Sequence, residues 1–131
     1  LPFTTSIPHD HGTDTFGITF DVEGRKLAFL VDTRYFPELP AAYTGMDVLV
    51  VYVTFHDALP HPRIMHLCVD DVKEIVRGAK PGKVVLTHFG VGMIEAGPVA
   101  VAHRLTDELG VEVIAAEDGM TVPIQDERKS I

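Results

Sequence analysis

The run Val48, Leu49, Val50, Val51, Tyr52, Val53 restricts the fold more than any other stretch of this chain. It is shorter than a packed helix needs, and its lack of polar alternation leaves no face for water. That is the pattern of a strand covered on both faces, which requires layers and therefore an α/β core. The flanking segments supply the other parts. Phe3, Thr5, Ile7, His9 and His11 recur at strand period and so are expected on one face, with residues 10–14 forming a loop or turn. Residues 16–22 and 26–31 read as two strands joined tightly through Glu23, Gly24 and Arg25, which leaves Asp32 at a strand end. Val69, Val72, Ile75 and Val76 make a helical stripe with Asp70 and Asp71 in its first turn and Gly78 and Pro81 at its end. Residues 84–87 return to strand character. Pro98, Val101, Leu105 and Leu109, closed by Gly110, mark a second helix. Residues 111–115 and 120–124 are expected as two short closing strands. The sum is an α/β (mixed α+β) architecture in one domain, residues 1–124, followed by a polar tail, residues 125–131, expected to fray.

Composition narrows the partners. A length of 131 residues supports one core. Eleven Lys+Arg against nineteen Asp+Glu give a net charge of -8, which argues against binding nucleic acid by charge alone and means that an anionic substrate needs a local cation. No apolar run approaches the ~20 residues that span a bilayer, so no membrane partner is expected. The single Cys68 forbids an internal disulfide and points to the cytoplasm.

Neutral imidazoles and carboxylates hold divalent metals in hydrolases, and they work best at strand ends, where a sheet aims them into a cleft. Four such places occur here: His9 and His11, Asp32, His66 before the first helix, and His88 directly after a strand. Taken singly, each has an ordinary structural reading as a turn, cap or surface residue; their convergence on strand ends is the signal. Arg34 and Tyr35 follow Asp32 and are expected to contact a phosphate and a base or sugar, although Arg34 is equally suited to pair with Asp14 or Glu38. His56 and His61 sit in a Pro-rich loop and His103 on a helix, where exposure is the default. Cys68, at a helix start, is a poor cap and a candidate thiolate.

Four segments resemble the later motifs of metallo-β-lactamase-fold hydrolases. They are Asp10-His11-Gly12-Thr13-Asp14-Thr15-Phe16-Gly17, Leu27-Ala28-Phe29-Leu30-Val31-Asp32-Thr33, His66-Leu67-Cys68-Val69-Asp70-Asp71 and Leu86-Thr87-His88-Phe89-Gly90. The resemblance is strongest to the phosphodiesterase and nuclease branch, which includes tRNase Z-like enzymes. It implies the C-terminal half of an αβ/βα sandwich and two divalent cations, zinc first, with manganese or iron as substitutes. It further implies that Asp32 bridges the cations, that His11 (or, as second candidate, His9) binds one and His88 the other, and that His66 donates a proton. The implied substrate is a small-molecule or nucleic-acid phosphodiester, and a homodimer is the default assembly. The family's His-x-His-x-Asp-His string is absent from these 131 residues. The chain is therefore expected to be a later part of a longer enzyme; the alternative is a non-catalytic half-domain acting as an interaction module.

Overall fold

The computed structural model describes residues 1–124, so the expected polar tail, residues 125–131, lies outside the described residues. Among the described residues, seven strands and four helices follow one another as β1 (Phe3–Pro8), β2 (Phe16–Val22), β3 (Arg25–Leu30), α1 (Leu39–Ala42), β4 (Val48–Phe55), β5 (Leu67–Cys68), α2 (Val69–Ala79), β6 (Lys83–Thr87), α3 (Val91–Ala96), α4 (Pro98–Leu109) and β7 (Glu112–Ala115). The sheet has the order β1-β2-β3-β4-β6-β7, and β5 adds to β4. β1, β2 and β3 are antiparallel, whereas β3, β4, β6 and β7 run parallel, as the intervening helices require.

The β2–β3 hairpin closes with Val22 opposite Arg25, and both linking residues, Glu23 and Gly24, have positive φ (54° and 81°). Two left-handed residues make the turn whose twist matches the strands. α2 begins where the Asp71 carboxylate accepts a hydrogen bond from the Cys68 N–H at 2.9 Å. It ends at Lys80, which takes the left-handed cap at φ 53°. Gly78 lies inside this helix instead of ending it. A Cβ there would approach Pro40 Cβ to 2.6 Å, so the missing side chain is what lets α1 pack on α2. Residues 120–124 form no strand: Met120 N–H closes a turn on Glu117 O at 3.0 Å, and Pro123 has no N–H to offer a sheet edge.

The core occupies one side of the sheet. Leu49, Val51 and Val53 of β4 and Val84 and Leu86 of β6 are buried there with Val72 and Ile75 of α2 and Val101 and Leu105 of α4. The other side is apolar too. Register places Ile18, Phe29, Val50, Val85 and Ile114 in one row across five strands, with Phe20, Leu27 and Val48 in the next. Val48 and Val85 are buried, but Val50 and Tyr52 are only half-buried, so among the described residues β4 is covered on one face and not on both.

Candidate metal centre

Asp32 follows the carboxyl end of β3, and its neighbours arrive from three other parts of the chain. The loop after β1 brings His11, the segment before β5 brings His66, and the residue after β6 is His88. All stand at the edge where parallel strands end, the usual place for sites in such sheets. His11 Nε2 lies 3.7 Å from Asp32 Oδ2, while His66 Nδ1 and His88 Nε2 lie 3.7 and 3.6 Å from Oδ1. Asp32 Oδ1 is buried and has no hydrogen-bond partner among the described residues. Leaving a buried carboxylate oxygen unpaired is costly, so this atom is built for something these residues do not supply.

The spacing says what. Two ligand atoms bound to one ion at ~2.1 Å and a tetrahedral angle stand ~3.4 Å apart, close to the observed separations and too far for direct hydrogen bonds. Asp32, His66 and His88 each offer an atom within 4.8 Å of the others, and His11 faces the second carboxylate oxygen. Nitrogen and carboxylate oxygen donors suit zinc, manganese and iron alike. The residues present fit a bound divalent cation.

Further contacts aim the ligands. His11 Nδ1–H donates to the Met65 carbonyl at 2.9 Å, which fixes the tautomer and leaves the Nε2 lone pair directed at Asp32. His88 Nδ1 is 3.0 Å from Thr54 Oγ1, and its ring stacks on Tyr52 with centroids 4.8 Å apart. His88 itself sits at φ 65°, a strained left-handed backbone position that a non-glycine residue adopts only when its surroundings impose it. Gly90 helps impose it. Its N–H donates to Thr54 O at 2.9 Å, and a Cβ would press on that same oxygen at 2.7 Å. Burial lowers the His66 pKa below 6.5, and His11 and His88 push the same way against the opposing pull of Asp32.

The remaining candidates are placed differently. His9 and His11 do not share a strand face, because β1 ends at Pro8. His9 turns into the protein, 6% exposed, with Nε2 2.6 Å from Tyr43 Oη and Nδ1 3.3 Å from the Asp32 carbonyl oxygen. Arg34 pairs with neither Asp14 nor Glu38. Its Nε lies 3.1 Å from Asp10 Oδ2, an ion pair not aligned as a hydrogen bond, and Nη2 donates to Pro62 O at 3.0 Å. Tyr35 packs partly buried against the core. His56 and His61 hydrogen-bond within their own loop, to Asp57 and the Arg63 N–H. Cys68 is buried, and burial raises its thiol pKa, so it stays protonated at neutral pH. Thr54 and Tyr43 carry no signal in the sequence: no local pattern distinguishes a hydroxyl that will meet an imidazole 34 positions away.

Comparison with known proteins bears on the same residues. A family model described as the beta-lactamase superfamily domain matches residues 2–89, which include Asp32, His66 and His88. The chain belongs to the beta-lactamase superfamily. Its fold is that of the metallo-β-lactamase proteins. The metallo-β-lactamase fold protein YhfI of Bacillus subtilis superposes with a TM-score of 0.77 at 16% identity, over 92% of this chain and 49% of that one. Human tRNase Z, short form, superposes at 0.68 with 21% identity, over 95% of this chain and 43% of that one. A ribonuclease Z of Nocardia farcinica is 31% identical over 109 residues, 80% of this chain and 34% of its own length. The chain thus spans between about a third and a half of the length of these three proteins. Among the described residues, no helix is long and apolar enough to cross a membrane.

Proposed function

We propose that this chain is the C-terminal half of a two-metal hydrolase that cleaves phosphodiester bonds. The observation that carries the reading is the buried, unpartnered Oδ1 of Asp32, with three imidazole nitrogens 3.6–3.7 Å from the two carboxylate oxygens. In this reading Asp32 would hold both cations, one together with His11 and the other together with His88. Bound divalent cations, zinc first and manganese or iron in its place, would supply Lewis acidity toward an ester oxygen and lower the pKa of a water molecule. Similarity to the Nocardia farcinica ribonuclease Z supports a phosphodiester substrate, nucleic acid or small molecule. Local cations at Asp32 would also let a chain of charge -8 accept an anion.

His66 is assigned the proton delivered to the leaving oxygen. Its ring stands between those of His11 and His88, with centroids 5.0 and 5.7 Å away, and its Nδ1 faces Asp32. Arg34 and Tyr35, two and three positions after Asp32, are the proposed contacts to the phosphate and to an adjoining ring. The proposed setting is cytoplasmic, with a homodimer as the assembly.

The test is metal content and hydrolysis of bis(p-nitrophenyl) phosphate by the full-length protein. Asp32→Ala is expected to lose bound metal and at least ~100-fold in turnover; retention of both would sink the bridging role. His66→Ala is expected to keep its metal and lose ~100-fold or more in kcat. Loss of metal instead would make His66 a ligand. The absence of a His-x-His-x-Asp-His string here favours a second reading, a half-domain that only binds a partner. A metal-free, inactive full-length protein would support it.

A further inference from the structure

His9 and Tyr43 form a buried polar pair that the proposed chemistry does not use. They are 6% and 1% exposed. A buried imidazole is tolerated only when both nitrogens are paired, and here the pairing determines the tautomer. The Asp32 carbonyl can only accept, so His9 Nδ1 carries the proton and donates to it at 3.3 Å. Nε2 of the neutral ring is then an acceptor, and Tyr43 Oη donates to it at 2.6 Å. Burial raises the Tyr43 pKa to about 12, so the phenol keeps that proton at any ordinary pH. Neither His9 nitrogen has a lone pair left for a metal.

The surroundings are shaped around this pair. Gly17 lies where any Cβ would collide with the Tyr43 hydroxyl and come within 2.6 Å of Phe29 O, so the β2 backbone yields space to the phenol. Around the ring, residues 9–10 are sewn to residues 32–34. Asp10 N–H donates to Thr33 Oγ1 at 3.0 Å, Arg34 N–H donates to Asp10 O at 2.9 Å, and Thr33 is fully buried. The His9 side chain reaches the main chain of Asp32 itself.

We propose that His9 is a positioning residue, tied through Tyr43 to the core, that holds the Asp32 main chain so that the carboxylate points at the three-histidine cluster. This rests on the metal-centre reading above and assigns to His9 a role other than ligand. A centre works only if its ligands stay within ~0.5 Å of their places, and a carboxylate at the end of a strand needs its backbone pinned to meet that tolerance.

The experiment is a Co²⁺ titration of the full-length protein, read by the visible d–d absorption, for the unmodified protein and three variants. In His9→Asn the amide nitrogen stands where Nδ1 stood and keeps the bond to Asp32. In His9→Gln the longer amide reaches Tyr43 and loses Asp32. Tyr43→Phe removes the hydroxyl alone. His9→Gln is expected to weaken Co²⁺ binding about 10–100-fold, the loss typical of residues that support metal ligands, and His9→Asn to stay within a few-fold with an unchanged band shape. Tyr43→Phe should fall between them, and it carries the test if the His9 variants do not fold. Equal loss in both His9 variants with an altered band would make His9 a ligand and overturn the proposal. So would unmodified affinity in His9→Gln or, where it carries the test, in Tyr43→Phe. If the unmodified protein binds no Co²⁺, the metal-centre reading fails and takes this inference with it.

Discussion

At the scale of single residues, two histidines two positions apart have opposite fates. His11 is half-exposed and faces a carboxylate oxygen, whereas His9 is sealed beneath the loop. Burial lowers the pKa of His9 and also that of His66. The unfolded chain therefore binds more protons than the folded one between the lowered folded values and 6.5, the value both take when exposed. Stability from this source is complete above pH 6.5 and is lost as the pH falls through the folded values. Chelator-treated protein should show a falling Tm from pH 7 to 5, less steeply in His9→Gln; a Tm that rises on acidification would contradict the assignment. None of this is readable from residues 9–11 alone. Alternation along a strand puts both rings on one side, and only the end of β1 at Pro8 separates them.

The elements legible in the sequence were those whose signal is local and long enough. The β2–β3 hairpin, α2 and α4 each show a period or a pair of caps, and all three form. α1 and α3 have four and six residues, too few for a 3.6-residue period to repeat, and the sequence gives no sign of them. A short helix of this kind is held by what packs on it, as Pro40 of α1 is by the notch at Gly78. The hairpin offers a test of local encoding. Glu23 occupies a left-handed position that costs most L-residues ~1–2 kcal/mol and asparagine less. Glu23→Asn should therefore stabilise the protein by roughly 0.5–1 kcal/mol in urea denaturation, because Asn-Gly is the preferred pair for this turn. A loss of stability would show that the Glu23 side chain has a partner worth more than the backbone strain.

At the scale of the whole molecule, the sheet is apolar on two sides, and among the described residues helices cover one of them. The run Val48–Val53 reads as a strand enclosed by layers, and Val50 on its second side is only half-buried among the described residues. Relatives two to three times as long have the further chain that a second layer needs. In the full-length protein, Val50→Asp is expected to cost at least ~3 kcal/mol by denaturant unfolding, the penalty for an unpaired charge under a second layer. A cost below ~0.5 kcal/mol would mean that this side faces water. The amino-acid sequence alone determined the layered α/β class, the strands other than β5, the two longer helices and the strand-end positions of Asp32 and His88, since each follows from periods and caps within ten or so neighbours, whereas β5 and the turn in place of a strand at residues 120–124 do not. Tertiary structure alone decided that His11, His66 and His88 converge on one carboxylate while His9 is drawn to Tyr43. Those contacts join residues as far as 56 positions apart, as Asp32 and His88 are, and they exist only once the parallel strands have aligned their ends.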